Sequence, residues 1–240
     1  MRVLAMGCHP DDLEILCYGT LAKLAKRGDD VIISTIANGS MGDMVIPPKE
    51  LAEIRHREAT AAAKVIGAQE YIGVGIDDLA LNPEDDEQIR RVTEVIRYAR
   101  PDFIICHGVD GYLDYHSDHN YAAEMTFTAS FNATIPHYET KSPVHPVIAP
   151  LYYMHPTGPR PDFYITDYVD ITDTLELKLE AFACHKSQFS WLGEHIGDSS
   201  LLDDVRDQAR VHGKSCRCQY AEAFQRCTQA YRMTANRLLP

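Results

Sequence analysis

His9, Asp11 and Asp12 are the first residues in the chain whose types and spacing suit chemistry. They follow a short apolar run of strand type, Val3 to Gly7, and precede an amphipathic segment from Glu14 to Arg27. An imidazole and a carboxylate at positions i and i+3 can turn toward one point ahead of a helix, and such nitrogen and oxygen ligands suit zinc. A simpler alternative is that Asp11 and Asp12 only cap the amides of that helix.

A second polar group extends from Tyr115 to His119 and follows another strand-like run, Asp102 to His107. In a doubly wound fold the carboxyl ends of parallel strands form the site, so the two groups are expected to converge at one edge of the sheet. His9, Asp12 and one histidine of the second group would supply three ligands and leave a position for water, as in a catalytic zinc site. This combination favours a metal site over helix capping.

Two motifs, His9-Pro10-Asp11-Asp12-Leu13-Glu14 and His116-Ser117-Asp118-His119, resemble the paired H-P-D-D-x-E and H-x-D-H motifs of the LmbE-like (PIG-L) zinc-dependent N-deacetylases. Arg55 to Glu58 resembles the family's R-x-x-E block, and Lys178 to Gln188 resembles its K-x-x-A-x-x-x-H-x-S-Q block. The resemblance extends over about the first 190 residues. It implies a Rossmann-like fold and hydrolysis of the N-acetyl group of an N-acetylglucosamine-type sugar or a related small molecule.

The resemblance also implies which residues bind the metal and activate water. Zn²⁺ is expected on His9, Asp12 and His119, although iron, cobalt or manganese would accept the same ligands. Asp11 is expected to be the general base that activates a water molecule on the metal. A buried thiol is favoured for Cys8, beside His9, over a thiolate ligand.

The remaining site residues are likewise assigned by the resemblance. His116 is expected to bind the tetrahedral oxyanion. Asp118 is expected to orient an imidazole, with that of His116 as the first candidate. Arg55, Asp77 and His185 are expected to contact the substrate.

Two other functions stay open at this point. A metal-dependent amidase for another amide, such as a thiol conjugate or an antibiotic intermediate, would use the same metal site and differ in the loops Asn38 to Pro48 and Tyr138 to Pro161. A non-catalytic Rossmann-type binding module is the second alternative, although the chain lacks the G-x-G-x-x-G pattern of dinucleotide binders. The chain also lacks the G-x-S-x-G pattern of a nucleophilic hydrolase.

Composition narrows the class of partner and the number of domains. The 240 residues suit one α/β domain, with a core over residues 1–190 and a mainly helical extension over residues 191–240. A formal charge of −12 argues against nucleic acid or an anionic membrane as partner, and it suits a small neutral substrate. The sequence shows neither a long apolar run nor a signal-peptide pattern, so a cytoplasmic protein is expected. A homo-oligomer remains possible.

Apolar patterning predicts a mostly parallel, Rossmann-like sheet with helices on both faces. The predicted strands are Val3–Gly7, Val31–Ile36, Tyr71–Gly75, Asp102–His107, Leu151–His155 and Phe163–Tyr168. The predicted helices are Glu14–Arg27, Lys49–Ile66, Pro83–Ala99 after an Asn82 cap, Asn120–Phe131, and one from Thr172 or Asp173 to Cys184. A helical stripe of Tyr220, Ala223, Phe224, Cys227 and Tyr231 is predicted to form core or a subunit interface.

Overall fold

A seven-stranded sheet organises the computed structural model, which describes residues 1–109, 114–158, 160–189, 201–229, 231–232 and 236–240. The spatial order of its strands is β3-β2-β1-β4-β5-β7-β6. The first five strands in that order are parallel, and β7 is antiparallel to both of its neighbours. The strands are β1 (Arg2–Gly7), β2 (Asp30–Ala37), β3 (Glu70–Ile76), β4 (Phe103–Cys106), β5 (Leu151–Met154), β6 (Asp167–Asp170) and β7 (Ala221–Arg226).

Helices cover both faces of this sheet, as the apolar strand sequences predict. Val3 and Ala5 of β1 belong to one buried cluster, whereas Leu4 and Met6 belong to the other. The helices are α1 (Asp12–Leu16), α2 (Tyr18–Arg27), α3 (Pro48–Val65), α4 (Asp86–Ala99), α5 (Ser117–Asn132), α6 (Leu175–Phe182) and α7 (Leu201–Cys216). None of the helices described is long and apolar enough to cross a membrane.

The sheet reverses its strand order between β1 and β4. From β1 the chain crosses over to β2 on one side, whereas β4 lies on the other side of β1. Such a switch point leaves a crevice outside the carboxyl ends of the two strands. Both polar groups of the sequence lie there, because one follows β1 and the other begins shortly after β4.

The helix predicted over Glu14–Arg27 is broken in two at Cys17, whose φ of −146° is not helical. The break leaves amides free at the start of α2, and the buried Glu222 carboxylate accepts hydrogen bonds from Gly19 (2.9 Å) and Thr20 (2.7 Å). Lys178 of α6 pairs with the same carboxylate at 2.5 Å. The carboxylate therefore joins α2, α6 and β7, which are far apart in the sequence.

The helical prediction for the C-terminal segment is correct for α7 and wrong for residues 221–226, which form β7 between β5 and β6. Ala221 to Phe224 are buried at four consecutive positions. A strand that is covered on both faces shows no period of two, so its apolar residues resembled a helical stripe. The strand predicted over Phe163–Tyr168 overlaps β6 only at Asp167 and Tyr168.

Two helix starts also differ from the prediction. Helix α4 begins at Asp86 rather than after Asn82-Pro83, because the Asp85 side chain accepts hydrogen bonds from the amides of Glu87 (2.9 Å) and Gln88 (3.2 Å). Helix α5 begins at Ser117 rather than Asn120. The earlier start places Asp118 and His119 in the first turn of α5.

Replacing Lys178 by Met tests the buried junction. The change leaves the Glu222 carboxylate buried without its ammonium partner, so the free energy of unfolding should fall by about 3–5 kcal/mol. Lys49→Met, at an exposed position of α3, is the matched control and should change it by less than about 0.5 kcal/mol. Urea denaturation of both variants gives the comparison, and equal stabilities would contradict the role of the junction.

Candidate active site

The two polar groups converge because β1 and β4 are adjacent parallel strands, with Met6 opposite Cys106. The segment after β1 supplies His9 and Asp12, and the first turn of α5 supplies His119. Donor atoms of these three side chains all lie within 4.8 Å of one another. The structure thus brings together the three residues that the sequence nominates as metal ligands.

The Asp12 carboxylate connects the members of this group. Its Oδ2 accepts hydrogen bonds from the amides of Cys8 (3.0 Å) and His9 (2.7 Å) and lies 3.3 Å from Nε2 of His107. Its Oδ1 lies 3.4 Å from Nε2 of His119. The side chain therefore bends back over β1 instead of capping α1.

Asp11 does not cap the helix either. It occupies the N-cap position of α1, but its side chain makes no capping hydrogen bond among the described residues. Its Oδ2 lies 3.1 Å from the guanidinium of Arg55. Its φ of 124° is unusual for a residue with a side chain, and such strain is often retained at functional sites. The capping interpretation is thus wrong for both aspartates, and Asp11 keeps a carboxylate beside the ligand group.

The donor set fits a divalent metal because the two imidazoles each have a second carboxylate on the far side of the ring. Nε2 of His9 lies 3.3 Å from Oδ2 of Asp118, and Nδ1 of His119 lies 3.4 Å from Oδ1 of Asp114. The opposite nitrogen of each ring faces Asp12, at 3.7 Å for His9 and 3.4 Å for His119. Carboxylates in this outer position orient metal-binding imidazoles and fix the tautomer.

Burial and neighbouring charges shift the pKa values of several side chains in this group. Although burial disfavours the imidazolium, Asp12 and Asp114 raise the pKa of His119 to about 9. Burial raises the pKa of Asp11 to about 6, against the opposing effect of Arg55. Burial also raises the pKa of Cys8 to about 12, which agrees with the expected buried thiol. Cys8 also forms a second group with His9 and Asp118, in which the donor atoms all lie within 4.8 Å of one another.

The expected pairing of Asp118 with His116 is wrong. The Asp118 carboxylate contacts His9 and accepts a hydrogen bond from the amide of Leu79 at 2.8 Å. Nδ1 of His116 instead accepts a hydrogen bond from the Asp118 amide at 3.2 Å. A neutral His116 ring must then carry its proton on Nε2, which makes that nitrogen a donor. The ring stacks on that of His119, with centroids 4.9 Å apart.

Arg55 is a buried residue that joins Asp11 to the loop after β2. Its guanidinium donates to the carbonyl oxygens of Pro10 and Gly39, the latter at 3.1 Å, and pairs with Asp11. Gly39 has a φ of 75°, and a Cβ there would lie 2.6 Å from the Arg55 side chain, so this position requires glycine. With only 3% of its surface exposed, Arg55 contacts Asp11 directly, and its contact with substrate stays a prediction.

His185 and Asp77, the other two predicted substrate contacts, differ in exposure. His185 is fully enclosed and pairs with Glu14 of α1 at 2.8 Å, so it helps to position α1. Its contact with substrate stays a prediction. Asp77 is exposed just after β3, and it accepts a hydrogen bond from the side chain of Asn38 at 2.6 Å. Its contact with substrate stays a prediction.

Comparison with known proteins identifies the family. Residues 4–130 match PIG-L, described as GlcNAc-PI de-N-acetylase. The diacetylchitobiose deacetylase of Thermococcus kodakarensis is 32% identical over 233 residues, which cover 93% of this chain and 82% of that protein. This chain belongs to the PIG-L family. Membership makes it an enzyme of the deacetylase class.

Solved structures agree with the fold of this PIG-L protein. The N,N'-diacetylchitobiose deacetylase of Pyrococcus horikoshii has a TM-score of 0.80 and 24% identity, and the match covers 94% of this chain and 83% of that one. GalB of Pseudomonas putida KT2440, a 4-carboxy-2-hydroxymuconate hydratase, also has a TM-score of 0.80, with 22% identity over 98% and 99% of the two chains. Identities this low show the fold alone, so the reaction must be argued from the site.

Two residues of the PIG-L site were not assigned a role from the sequence. His107 follows β4 directly and stacks on His119, with centroids 4.8 Å apart; its position at a strand end was the signal that pointed to it. Asp114 lies in the loop before the second motif, and no pattern distinguished it from a solvated acid. Both enclose the ligand group on the side of α5.

Replacing Arg55 by Met tests whether this residue holds Asp11. Without the guanidinium, Asp11 loses its partner and its fixed position, so kcat/KM should fall by about 10²-fold. Metal content should match that of the unchanged protein, because Arg55 contacts Asp11 rather than the three ligand residues. Arg57→Met, at an exposed position of the same helix, is the control and should retain activity. Loss of metal from the Arg55 variant would show that its role is misassigned.

Proposed function

We propose that this chain is a metal-dependent hydrolase that removes the acetyl group from an N-acetylglucosamine-type sugar or a related small molecule. The observation that carries the proposal is the placement of a spare carboxylate, Asp11, next to the convergent ligand atoms of His9, Asp12 and His119. The family description and the name of the Thermococcus relative both refer to deacetylation of acetylated sugars. This agreement supports the substrate class.

An amide resists hydrolysis because its carbonyl is a weak electrophile and its amine is a poor leaving group. A Zn²⁺ or similar divalent ion held by His9, Asp12 and His119 would polarise the acetyl carbonyl and lower the pKa of a bound water. The protein must then supply a base, a donor for the oxyanion and a proton for the departing amine.

Asp11 is suited to both proton transfers. As a carboxylate it accepts a proton from the attacking water, and as an acid it returns that proton to the nitrogen when the carbon–nitrogen bond breaks. Arg55 holds the carboxylate in place at 3.1 Å. Water thus gives its hydroxyl group to the acetyl carbon and a proton to the nitrogen, so the amide and one water molecule become acetic acid and the free amine. The proton that acetic acid then loses leaves the products as acetate and the ammonium form of the amine.

His116 supplies the donor for the oxyanion. Because its Nδ1 accepts the Asp118 amide, the proton of the neutral ring is on Nε2, and this N–H can donate to the carbonyl oxygen as negative charge develops there. Asp114 and Asp118 keep the neighbouring rings of His119 and His9 in fixed orientations. Each role in the hydrolysis is thus assigned to a side chain within the same group.

Replacing Asp11 and Asp12 separately by Asn tests the proposal. Asp11→Asn removes the proton acceptor but leaves the three ligands, so kcat should fall by about 10²–10⁴-fold while metal content is unchanged. Asp12→Asn removes a ligand and should give a metal-depleted protein. Acetate release from a panel of N-acetylglucosamine compounds and elemental analysis give both readouts.

An Asp11→Asn protein that binds metal and keeps a near-normal kcat would contradict the role of Asp11 as the proton acceptor. An unchanged protein that carries metal but releases acetate from none of the N-acetylglucosamine compounds would reject the substrate class.

A further inference from the structure

We propose that a large cavity beside the active site binds an uncharged apolar substituent of the substrate, such as an alkyl or aryl group. The substrate would then be an amphiphile, with its N-acyl amino group at the ligand residues and its apolar part in the cavity. This inference rests on the proposed function and specifies the substrate that the same site accepts.

The cavity has a volume of about 700 Å³, which is in the range of pockets that enclose drug-sized ligands. Much of its wall comes from apolar side chains of α1, α6, α7 and the segment before β6. The largest of these are Ile15, Ile165, Phe182, Leu201, Val205 and Val211.

The cavity adjoins the active site. A smaller space of about 70 Å³ lies directly against Asp12 and His119. Ile15, Tyr115 and Thr157 line both spaces. Ile15 follows Asp12 by three residues in α1, so it lies about one helical turn from a ligand residue. A molecule whose amide lies at the ligand residues can therefore extend past Ile15 into the larger space.

The charges of the wall favour an uncharged occupant over an anionic one. Among the described residues that line the cavity, Asp204 and Asp207 are the two with a formal charge at neutral pH, and both are exposed. Burial lowers the pKa of His212 to about 4 and also lowers the pKa of His155, so both imidazoles are neutral. Arg210 pairs with Asp207 but does not line the cavity. The described wall therefore gives a phosphate or carboxylate no cationic side chain to bind, whereas an uncharged chain needs none.

Exposed apolar side chains mark the rim of the cavity. Val211 is 60% exposed and Tyr115 is 86% exposed, although each lines the cavity. Apolar side chains that line a cavity and remain open to water fit a binding site. An apolar group that enters from the active site would remove this surface from water, which is the source of the binding free energy.

The binding test uses amines, because they are products and cannot be hydrolysed. The octyl and methyl glycosides of 2-amino-2-deoxy-β-glucopyranose differ only in the alkyl chain. The octyl compound should bind at least about 10-fold more tightly by titration calorimetry below its micelle concentration, since burial of a few methylene groups supplies that factor. Equal dissociation constants would overturn the proposal, whether or not the protein hydrolyses amides.

Val211→Asp places a charge on the exposed part of the wall without disturbing the core. It should abolish the preference for the octyl compound and leave the dissociation constant of the methyl compound and the melting temperature unchanged. Lys214→Asp, at an exposed position of α7 that does not line the cavity, is the control and should keep the preference. A folded Val211→Asp protein with the preference intact would also overturn the proposal.

Hydrolysis then shows where the substrate carries its apolar group. The octyl glycoside of N-acetylglucosamine places the chain on the sugar, whereas the methyl glycoside of N-octanoylglucosamine places it on the acyl group. A higher kcat/KM than that of the methyl glycoside of N-acetylglucosamine for one of them supports the proposal and assigns the position. If no compound is hydrolysed but the octyl amine still binds more tightly, the cavity is supported and the proposed function fails.

Discussion

The site depends on one buried carboxylate, that of Asp12. A carboxylate removed from water is unfavourable by several kcal/mol unless hydrogen bonds and opposite charges compensate for it. Here the amides of Cys8 and His9 and the rings of His107 and His119 provide that compensation. The backbone must therefore turn after β1 so that these amides point at the carboxylate. The ends of β1 and β4 must also be adjacent, so that the two rings reach it. A divalent cation would complete the same balance of charge, which is why the arrangement suits a metal.

A second set of contacts fixes the groups that surround Asp12. Each of four side chains in the first motif or the ligand group forms an ion pair or hydrogen bond with a partner from another part of the chain, and all these partners are buried. The pairs are His9 with Asp118 of α5, His119 with Asp114, Asp11 with Arg55 of α3, and Glu14 with His185 after α6. The first motif thus takes its geometry from parts of the chain that are up to 171 residues away. The apolar cavity lies beyond this set, where α7 packs against α6.

The sequence predicts those parts of the fold and site that depend on residues close together in the chain. Strands β1, β2 and β4 were predicted because strands covered on both faces need continuous apolar runs, and the ligand residues follow from their types and their positions after such strands. The break at Cys17 was not predictable, because Glu222 stabilises it from the other end of the chain. The partner of Asp118 depends on the earlier start of α5, and the strand identity of β7 depends on pairing with β5 and β6. In each case a distant contact overrides the local pattern.

Anomalous X-ray scattering at the zinc absorption edge, from crystals grown with Zn²⁺, tests the central claim most directly. The account predicts one strong peak at about 2.0–2.2 Å from a nitrogen of His9, an oxygen of Asp12 and a nitrogen of His119, with Asp11 beside it but not bound. A peak coordinated by Cys8 and Asp118 instead, or a zinc ion bound away from Asp12, would contradict it.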